Sequence, residues 1–256
     1  MRNNINDDLV SVIMPAYNSE KYIGEAIESV LNQSYKNWEL IIVNDASCDN
    51  TESIIKEYAA KNSKIVLISL SENKGVSNAR NIAVQNARGR FVAFLDSDDI
   101  WTSEKLAKQI SFMKENGYSF TYHNYILFNT TMGKESGKLI KVPDSIDYIE
   151  LLKCNCTGSC LTTVIDRNII KKIYMPSQRH EDYICWLNIL KEYQVRAYGL
   201  NEVLGYYRIG KSSVSSNKLR SAYWTWKVYR DSQKIGFLDT IYYFIHYAIK
   251  GLIKYK

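Results

Sequence analysis

Short apolar runs alternate with stretches of helical periodicity through the first hundred residues. Apolar residues recur three or four positions apart in a segment that Ser19 is expected to cap, and again at 51–60 and 75–87, which predicts helices. Runs rich in Val, Ile, Leu and Phe predict buried strands at 9–14, 38–43, 65–69 and 90–95. Because strands that alternate with helices form right-handed βαβ units, we expect an α/β fold with a mostly parallel central sheet and helices on both faces.

The pattern changes after residue 99. Helical periodicity predicts helices at 103–116 and 182–193, and apolar runs predict strands at 118–128, 161–165, 196–199 and 203–208. A polar linker at 211–216 precedes a segment in which apolar residues lie at helical spacing, namely Ile241, Phe244, Ile245, Ala248, Ile249 and Leu252. We therefore predict one domain over residues 1–216 and an amphipathic helical extension over residues 217–256.

Composition is typical of a folded protein, with 46% hydrophobic and 23% charged residues. The first eight residues contain no apolar segment, so no signal peptide is expected, and no run of 18 apolar residues indicates a membrane span. The five cysteines form an odd set without the spacing of a complete zinc site, which favours reduced thiols and a cytoplasmic location.

The net charge of +6 lies entirely in the extension. Residues 217–256 contain eight Lys or Arg and two Asp or Glu, whereas residues 1–216 contain 25 of each sign. A neutral body argues against a nucleic-acid-binding face. Aromatic and basic residues on amphipathic helices favour an anionic membrane surface, here the inner face of the cytoplasmic membrane. Packing on residues 1–216 or on a second subunit, as in a homodimer, is the alternative.

Polar residues follow each of the first four predicted strands. In an open α/β sheet these positions meet beyond the carboxyl ends of the strands, where ligands bind. The fourth set, Asp96-Ser97-Asp98-Asp99, places three carboxylates within four residues, which suits Mg²⁺ or Mn²⁺ together with phosphate oxygens. An Asp-rich turn before the helix near Ser103 is the alternative. The other sets are Pro15-Ala16-Tyr17-Asn18, Asn44-Asp45-Ala46-Ser47 and Asn73-Lys74-Gly75-Val76-Ser77.

These motifs, taken in order, resemble those of family 2 glycosyltransferases. The resemblance covers residues 8–210 and rests on Val10-Ser11-Val12-Ile13-Met14-Pro15-Ala16-Tyr17-Asn18, Val43-Asn44-Asp45-Ala46-Ser47, Ala79-Arg80-Asn81 and Leu95-Asp96-Ser97-Asp98-Asp99. It implies the GT-A fold, a Rossmann-like architecture, and an inverting, metal-dependent reaction. The family often has two adjacent Asp residues after the second strand, and here the first of them is Asn44.

The resemblance also implies roles for individual residues. Asp45 corresponds to the carboxylate that accepts from the uracil N3–H of a UDP-sugar, and Arg80 to a residue that reaches the nucleotide or diphosphate. Asp98 corresponds to the direct ligand of Mn²⁺ or Mg²⁺, and Asp96 to a residue that binds the ribose or reaches the metal through water. The other expected nucleotide-sugar contacts are Pro15, Ala16, Tyr17, Asn18, Asn73, Gly75 and Ser97.

An inverting reaction needs a carboxylate that takes the proton of the acceptor hydroxyl. Glu181-Asp182 resembles the family motif that supplies it, and we favour Asp182 as the base with Glu181 as the alternative. Both acids would also stabilise a helix N-terminus without any catalytic role. Expected residues of the acceptor pocket or closing segment are Trp101, which could instead pack in the core, and Thr157, Gly158, Ser159 and Arg208.

The sequence therefore predicts transfer of a hexose or N-acetylhexosamine from a UDP-sugar to a saccharide hydroxyl. The acceptor expected from the family and the extension is a lipid-linked intermediate of bacterial O-antigen, capsule or lipooligosaccharide synthesis. One alternative is a non-catalytic nucleotide- or glycan-binding module of the same fold. A sugar-nucleotide nucleotidyltransferase is disfavoured because the loop at 15–19 lacks a glycine-rich phosphate motif.

Overall fold

The structure is a computed structural model that describes residues 6–129, 133–134, 136–154, 159–209 and 218–254. The strands are β1 Asn6–Ala16, β2 Trp38–Asn44, β3 Ile65–Ser69, β4 Gly89–Phe94, β5 Ile100–Trp101, β6 Phe120–Phe128, β7 Lys138–Ile140, β8 Ser145–Ile146, β9 Val164–Asp166 and β10 Ala197–Arg208. The helices are α1 Ile23–Leu31, α2 Thr51–Lys61, α3 Val76–Asn86, α4 Lys105–Asn116, α5 Tyr148–Lys153, α6 Glu181–Tyr193, α7 Lys218–Lys227 and α8 Phe237–Lys254. A 3₁₀ turn covers Cys160–Thr162 and a π-helical segment covers Val228–Ser232.

The described strands form one mixed sheet in the order β3-β2-β1-β4-β9-β6-β10-β5, with β7 beside β6 and β8 beside β10. The first four strands along this order are parallel, as the βαβ pattern predicts. Strand β9 runs antiparallel between β4 and β6, and β10 is parallel to β6. The α/β fold with a Rossmann-like parallel half is therefore confirmed.

Alternating residues of the parallel strands pack into two apolar layers, one on each face of the sheet. Ile13, Ile41 and Phe94 face the layer that contains α3, α5 and α6. Val12 and Leu40 face the opposite layer, which contains α1 and α4. Because both faces are covered by helices, the central parts of these strands form nearly continuous apolar runs rather than alternating at every second position. This explains why the continuous apolar runs predicted their positions correctly.

Local details differ from the sequence prediction. Ser19 does not cap α1, which begins at Ile23, because its hydroxyl bonds the Tyr17 carbonyl and the Ser97 hydroxyl instead. The predicted strands at 196–199 and 203–208 are one strand, β10, whose register shifts between Leu200 and Val203. The predicted strand at 161–165 is divided into the 3₁₀ turn and the short strand β9.

The C-terminal helices pack on the body of the protein. Val228 and Tyr229 are buried in the apolar layer beside α6, and the Tyr229 hydroxyl donates to the Leu152 carbonyl at 2.6 Å. Packing on the catalytic domain, which the sequence left open, therefore holds for the segment around Tyr229. The outer side of α8 stays exposed, at Leu238, Tyr242, Ile245 and Ile249. Within the described ranges, no helix has the length and apolarity needed to cross a membrane.

Cysteine chemistry differs in part from the expectation. Cys48, Cys160 and Cys185 are free thiols, as expected. Cys154 is disulfide-bonded, so the expectation of reduced thiols is wrong at that position. In the part of the chain that the structure describes, no three His, Cys, Asp or Glu side chains surround a common metal position.

Candidate active site

The polar sets predicted from the sequence lie at one edge of the sheet. The register pairs Ala16 with Asn44 and Asn44 with Ser69, so β1, β2 and β3 end side by side. The backbone N–H of Leu95, which follows β4, donates to the Ile13 carbonyl and brings the Asp cluster to the same edge. This is the edge of a parallel sheet at which ligands bind.

Asp45 fixes the loop that precedes α3. Its two carboxylate oxygens accept from the backbone N–H groups of Lys74 and Gly75, both at 2.8 Å, and its side chain is buried. Gly75 has φ +88°, a left-handed conformation that glycine adopts without strain. The Asn73 amide donates to the Asp45 carbonyl at 3.3 Å. Asp45, Asn73 and Gly75 thus form one rigid corner, and each Asp45 oxygen retains a second lone pair for a ligand.

The loop after β1 is joined to the loop after β2. The Asn18 N–H donates to the Ser47 hydroxyl at 3.0 Å, and its side-chain oxygen accepts from the Cys48 N–H at 2.9 Å. Asn18 has φ +47°, as these short polar side chains tolerate. Pro15 and Ala16 are buried, whereas Tyr17 is 49% exposed beside the edge. Of the predicted nucleotide contacts in this loop, Tyr17 and Asn18 are therefore exposed, whereas Pro15 and Ala16 are not.

The three carboxylates of the Asp cluster have different surroundings. Asp96 is partly exposed, Asp98 borders solvent and Asp99 is buried. Protein that encloses Asp98 on its other sides, together with the charge of Asp96, raises the pKa of the Asp98 carboxyl to about 6. Burial, with the charges of Asp98 and Asp96, raises the pKa of Asp99 well above its usual value. A cation placed beside Asp96 and Asp98 would relieve this repulsion.

Arg208 is hydrogen-bonded to two residues of the Asp cluster. Its backbone N–H donates to the Asp99 carboxylate at 2.9 Å, and its Nε donates to the Asp98 carbonyl at 2.8 Å. The guanidinium also contacts the Glu25 carboxylate and lies 4.2 Å from the Tyr22 ring centroid. Arg208 is buried, so in this structure it positions the cluster rather than standing free as a closing residue.

Arg80 connects the Asp cluster with the Glu-Asp motif. Its Nη2 donates to Asp96 Oδ1 at 2.6 Å, and its Nη1 donates to Glu181 Oε1 at 2.8 Å. The side chain is 5% exposed. In the structure Arg80 lies between these two carboxylates, and its contact with the nucleotide or diphosphate stays a prediction. A buried charge bonded on both sides holds these motifs in one site.

The Glu-Asp motif opens α6. Glu181 bonds Arg80, and burial together with the charge of Asp182 raises the pKa of the Glu181 carboxyl. Asp182 accepts from the Tyr183 N–H at 2.7 Å through Oδ1. His180 precedes them with φ +62°, which turns the chain sharply into the helix. Of the two acids, Glu181 forms the ion pair with Arg80 and Asp182 does not.

The predicted acceptor residues do not all meet. Trp101 is 3% exposed and its indole N–H donates to the Leu161 carbonyl at 2.9 Å, so it packs in the core and presents no face to a sugar. Lys105 Nζ lies 3.8 Å from the centroid of the Trp101 ring. Ser159 is partly buried next to the 3₁₀ turn. Thr157 and Gly158 lie outside the described residues.

Sequence reasoning missed a cleft beside the motif. A cavity of about 830 Å³ lies between the start of α3, residues 177–181 and the C-terminal helices, and its lining includes Glu181, Arg220, Trp224 and Lys227. The His180 ring lies 3.4 Å from the Ser221 carbonyl, which links α7 to the Glu-Asp motif. The sequence treats the extension as a separate unit because aromatic and basic residues do not by themselves distinguish a cleft wall from a membrane face.

The fold and the site are those of a glycosyltransferase of the GT-A class. They combine a mixed sheet with a parallel half, an Asp cluster at its carboxyl edge and an acidic pair at a facing helix. Residues 11–173 match the model of glycosyl transferase family 2. The chain belongs to glycosyltransferase family 2, and it is a sugar-transferring enzyme.

Relatives match over almost the whole chain. One, a candidate teichuronic acid biosynthesis glycosyltransferase, TuaG of Bacillus subtilis (strain 168), is 43% identical over 96% of both chains. Another, 42% identical over 98% of this chain and 96% of its own, is named UDP-Glc:alpha-D-GlcNAc-diphosphoundecaprenol beta-1,3-glucosyltransferase WfgD of Escherichia coli.

Solved structures share the fold. The crystal structure of S. aureus TarS 1-349 superposes with a TM-score of 0.63 at 26% identity, over 78% of this chain and 60% of that one. The complex of the same TarS segment with UDP-GlcNAc has a TM-score of 0.66 at 22% identity, over 87% of this chain and 67% of that one.

Proposed function

We propose that the protein transfers a hexose or N-acetylhexosamine from a UDP-sugar, with inversion, to a hydroxyl of a lipid-linked saccharide in bacterial surface polysaccharide synthesis. The observation that carries this proposal is the bridge from Asp96 through Arg80 to Glu181. The bridge brings the donor-side carboxylates and the acceptor-side acids into contact with one buried side chain. A binding module would not need both sets in one site.

The nucleotide of the donor would lie along the loops after β1, β2 and β3. Asp45 would accept from the uracil N3–H through its remaining lone pairs, while Lys74 and Gly75 hold the carboxylate in place. Tyr17 would cover the nucleotide from the solvent side. The predicted roles of Pro15, Ala16 and Asn18 follow from their place in the same loops.

The residues of the Asp cluster fit a divalent metal. Asp98 borders solvent, Asp96 lies beside it, and both present the hard oxygen ligands that Mn²⁺ and Mg²⁺ prefer. Burial, together with the charge of Asp96, raises the pKa of Asp98, and a cation at this position would stabilise the ionised carboxylates. Two protein carboxylates leave positions for oxygens of the donor diphosphate. A metal held there would neutralise the negative charge that develops on the diphosphate as UDP leaves.

Asp182 would act as the general base. It would take the proton of the acceptor hydroxyl while that oxygen forms a bond to C1 of the sugar and the bond from C1 to the diphosphate oxygen breaks. The electron pair of the broken bond stays on UDP, and C1 is inverted because attack comes from the opposite face. Arg80 binds Glu181 and so keeps the neighbouring acid out of this role.

The acceptor class is supported by relatives. WfgD and WfaP of Escherichia coli, 42% and 39% identical to this chain, carry names in which the acceptor is a GlcNAc linked to diphosphoundecaprenol. An acceptor of this kind is anchored in a membrane, which agrees with a peripheral protein at the inner face of the cytoplasmic membrane. The exposed apolar side of α8, with Leu238, Tyr242, Ile245 and Ile249, would contact an anionic membrane surface.

A calorimetric titration with UDP tests the donor site. UDP is expected to bind the wild-type protein in the presence of Mn²⁺ and to bind much more weakly without Mn²⁺ or to Asp98→Ala. Glu57→Gln, which changes an exposed acid on α2, serves as the control and should bind like the wild type. Failure of UDP to bind under any of these conditions would contradict the assignment of a UDP-sugar donor.

A further inference from the structure

Helix α7 and the π-helical segment after it form part of the cleft that borders the Glu-Asp motif. They are held there by buried contacts: Tyr229 is fully buried, and the Gln233 amide donates to the Asn188 side chain of α6 at 2.8 Å. Trp226 packs edge-on against Phe237 and Phe244, which joins α7 to α8. The wall that these helices contribute is therefore a fixed part of the enzyme.

One side of α7 faces the cleft. Arg220, Trp224 and Lys227 all line the cavity, and their spacing of four and three residues puts them on a single helix face. Lys227 is half-buried, with Nζ 5.5 Å from the Trp224 ring centroid. Two cations and an aromatic ring are thus presented together, about one helical turn apart.

The opposite wall is also basic. It is formed by Arg179, which precedes the Glu-Asp motif, and by Lys74 with the first residues of α3. Lys74 also pairs with Glu72 at 2.9 Å. The acids in the lining are Glu181, which already bonds Arg80, and Asp231. Basic side chains thus outnumber acidic ones, four to two, in the lining of a cavity of about 830 Å³ that includes Glu181, the neighbour of the proposed base Asp182.

Such a cavity suits a doubly charged anionic group attached to a sugar. The donor diphosphate is assigned to the Asp cluster, on the other side of the Arg80 bridge. A lipid-linked acceptor carries a second diphosphate, and this group must lie close to the base because it is attached to the sugar that is attacked. We propose that the cleft binds the acceptor diphosphate through Lys227, Arg220 and Arg179, with Trp224 as the apolar side of the cleft. This inference rests on the proposed function and adds the acceptor subsite to it.

Steady-state kinetics with two matched acceptors tests the subsite. The first is GlcNAc-α-diphosphate linked to a long alkyl chain, and the second is the alkyl α-glycoside of GlcNAc without the diphosphate, with UDP-glucose as donor for both. Lys227→Gln and Arg220→Gln are each expected to raise KM for the diphosphate acceptor about tenfold, as expected for one lost charge-assisted hydrogen bond. Neither variant should change KM for the neutral acceptor or the affinity for UDP.

Controls separate the subsite from folding and from the donor site. Lys171→Gln, an exposed lysine outside the cleft, should behave as the wild type, and Lys227→Arg should keep most of the acceptor affinity. Equal losses for both acceptors, or weakened UDP binding in Lys227→Gln, would overturn the proposal. If the wild type transfers no sugar to either acceptor, the proposed function is contradicted, and calorimetry with the diphosphate acceptor then tests the subsite alone. The acceptor should bind the wild type more tightly than Lys227→Gln, and equal affinity would overturn the subsite.

Discussion

The guanidinium of Arg80 bonds the carboxylate of Glu181 at 2.8 Å, across 101 residues of sequence. The same guanidinium bonds Asp96, so one buried side chain spans the donor and acceptor sides of the site. Its position explains why two motifs at distant points of the chain lie together, and it assigns different environments to the neighbouring acids Glu181 and Asp182.

Removal of Arg80 should disturb both stability and catalysis. In Arg80→Met, Asp96 and Glu181 lose their partner in a buried site, which typically costs about 3 kcal/mol or more in free energy of unfolding. We expect a fall in the urea midpoint and a kcat reduced by more than about a hundredfold, because the acids are no longer held in place. Arg80→Lys should fall between Met and wild type, since lysine keeps the charge but not the two-sided geometry.

Urea unfolding and transfer kinetics of the Arg80 variants test this prediction, with Arg88→Met as the control variant. Arg88 also pairs with a buried acid, Glu39, but its own side chain is 68% exposed and far from the Asp cluster in the sheet. Wild-type kinetics in Arg80→Met would contradict the bridge.

Substitution of the two acids of α6 should have unequal effects. Asp182→Asn removes the base and should lower kcat by about 10² to 10⁴, the range expected for loss of a general base. The affinity for UDP should not change. Glu181→Gln keeps a hydrogen-bond acceptor for Arg80 and should lower kcat less. Initial rates and UDP calorimetry on both variants check this, and the reverse order of effects would identify Glu181 as the base.

The outer side of α8 should determine membrane binding. Leu238→Gln combined with Ile245→Gln replaces two exposed apolar side chains, each of which contributes roughly 1 kcal/mol or more when buried in lipid. We expect at least about tenfold weaker binding to phosphatidylglycerol vesicles in a flotation assay. Leu139→Gln, at an exposed leucine on β7, is the control.

Unchanged vesicle binding by the α8 double variant would contradict the membrane role. Sedimentation of the same variants examines the homodimer that the sequence left open. A dimer of the wild type that dissociates in the double variant would assign this face to a second subunit instead of the lipid surface.

A buried histidine should make stability depend on pH. Burial, with the charge of nearby Lys105, lowers the pKa of His123 to about 3 in the folded protein. In the unfolded chain the pKa is about 6.5, so between these values only the unfolded state takes up the proton. The free energy of unfolding is therefore not lowered by His123 above pH 6.5. Below pH 6.5 it falls as the pH decreases, by at most about 1.4 kcal/mol per pH unit.

Urea unfolding of wild type and His123→Gln at pH 5, 6 and 7 checks this. The difference in free energy of unfolding between the two proteins should shift in favour of the variant as the pH falls. A difference that is constant over this range would show that His123 does not remain neutral in the folded protein.

The parts of the structure that local patterns determine could be predicted from the sequence. The strands around Ile13, Ile41 and Phe94 are buried on both faces, so their apolar runs were unambiguous, and the polar residues after them had to meet at one edge. The pair of Arg80 with Glu181 could not be predicted, because it depends on how α6 packs against the sheet. Trp101 was ambiguous because an aromatic ring near a polar cluster suits either a sugar or a core.

Ser19 and the C-terminal helices show the same limit. Ser19 has the chemistry of a helix cap, but its hydroxyl bonds Ser97, a partner 78 residues away that no local pattern indicates. Around Tyr229, aromatic and basic residues favoured a lipid surface, with packing on protein as the alternative. Only the packing of Val228 and Tyr229 under α6 distinguishes these possibilities.

The most direct test of the account is the anomeric configuration of the product. The enzyme is incubated with UDP-glucose, Mn²⁺ and the alkyl GlcNAc-α-diphosphate acceptor, and the disaccharide is analysed by mass spectrometry and by NMR at the new anomeric centre. The account predicts one added hexose, in the configuration opposite to that of the donor, formed at least about a hundredfold more slowly by Asp182→Asn. A product with retained configuration, or formed equally well by Asp182→Asn, would contradict it.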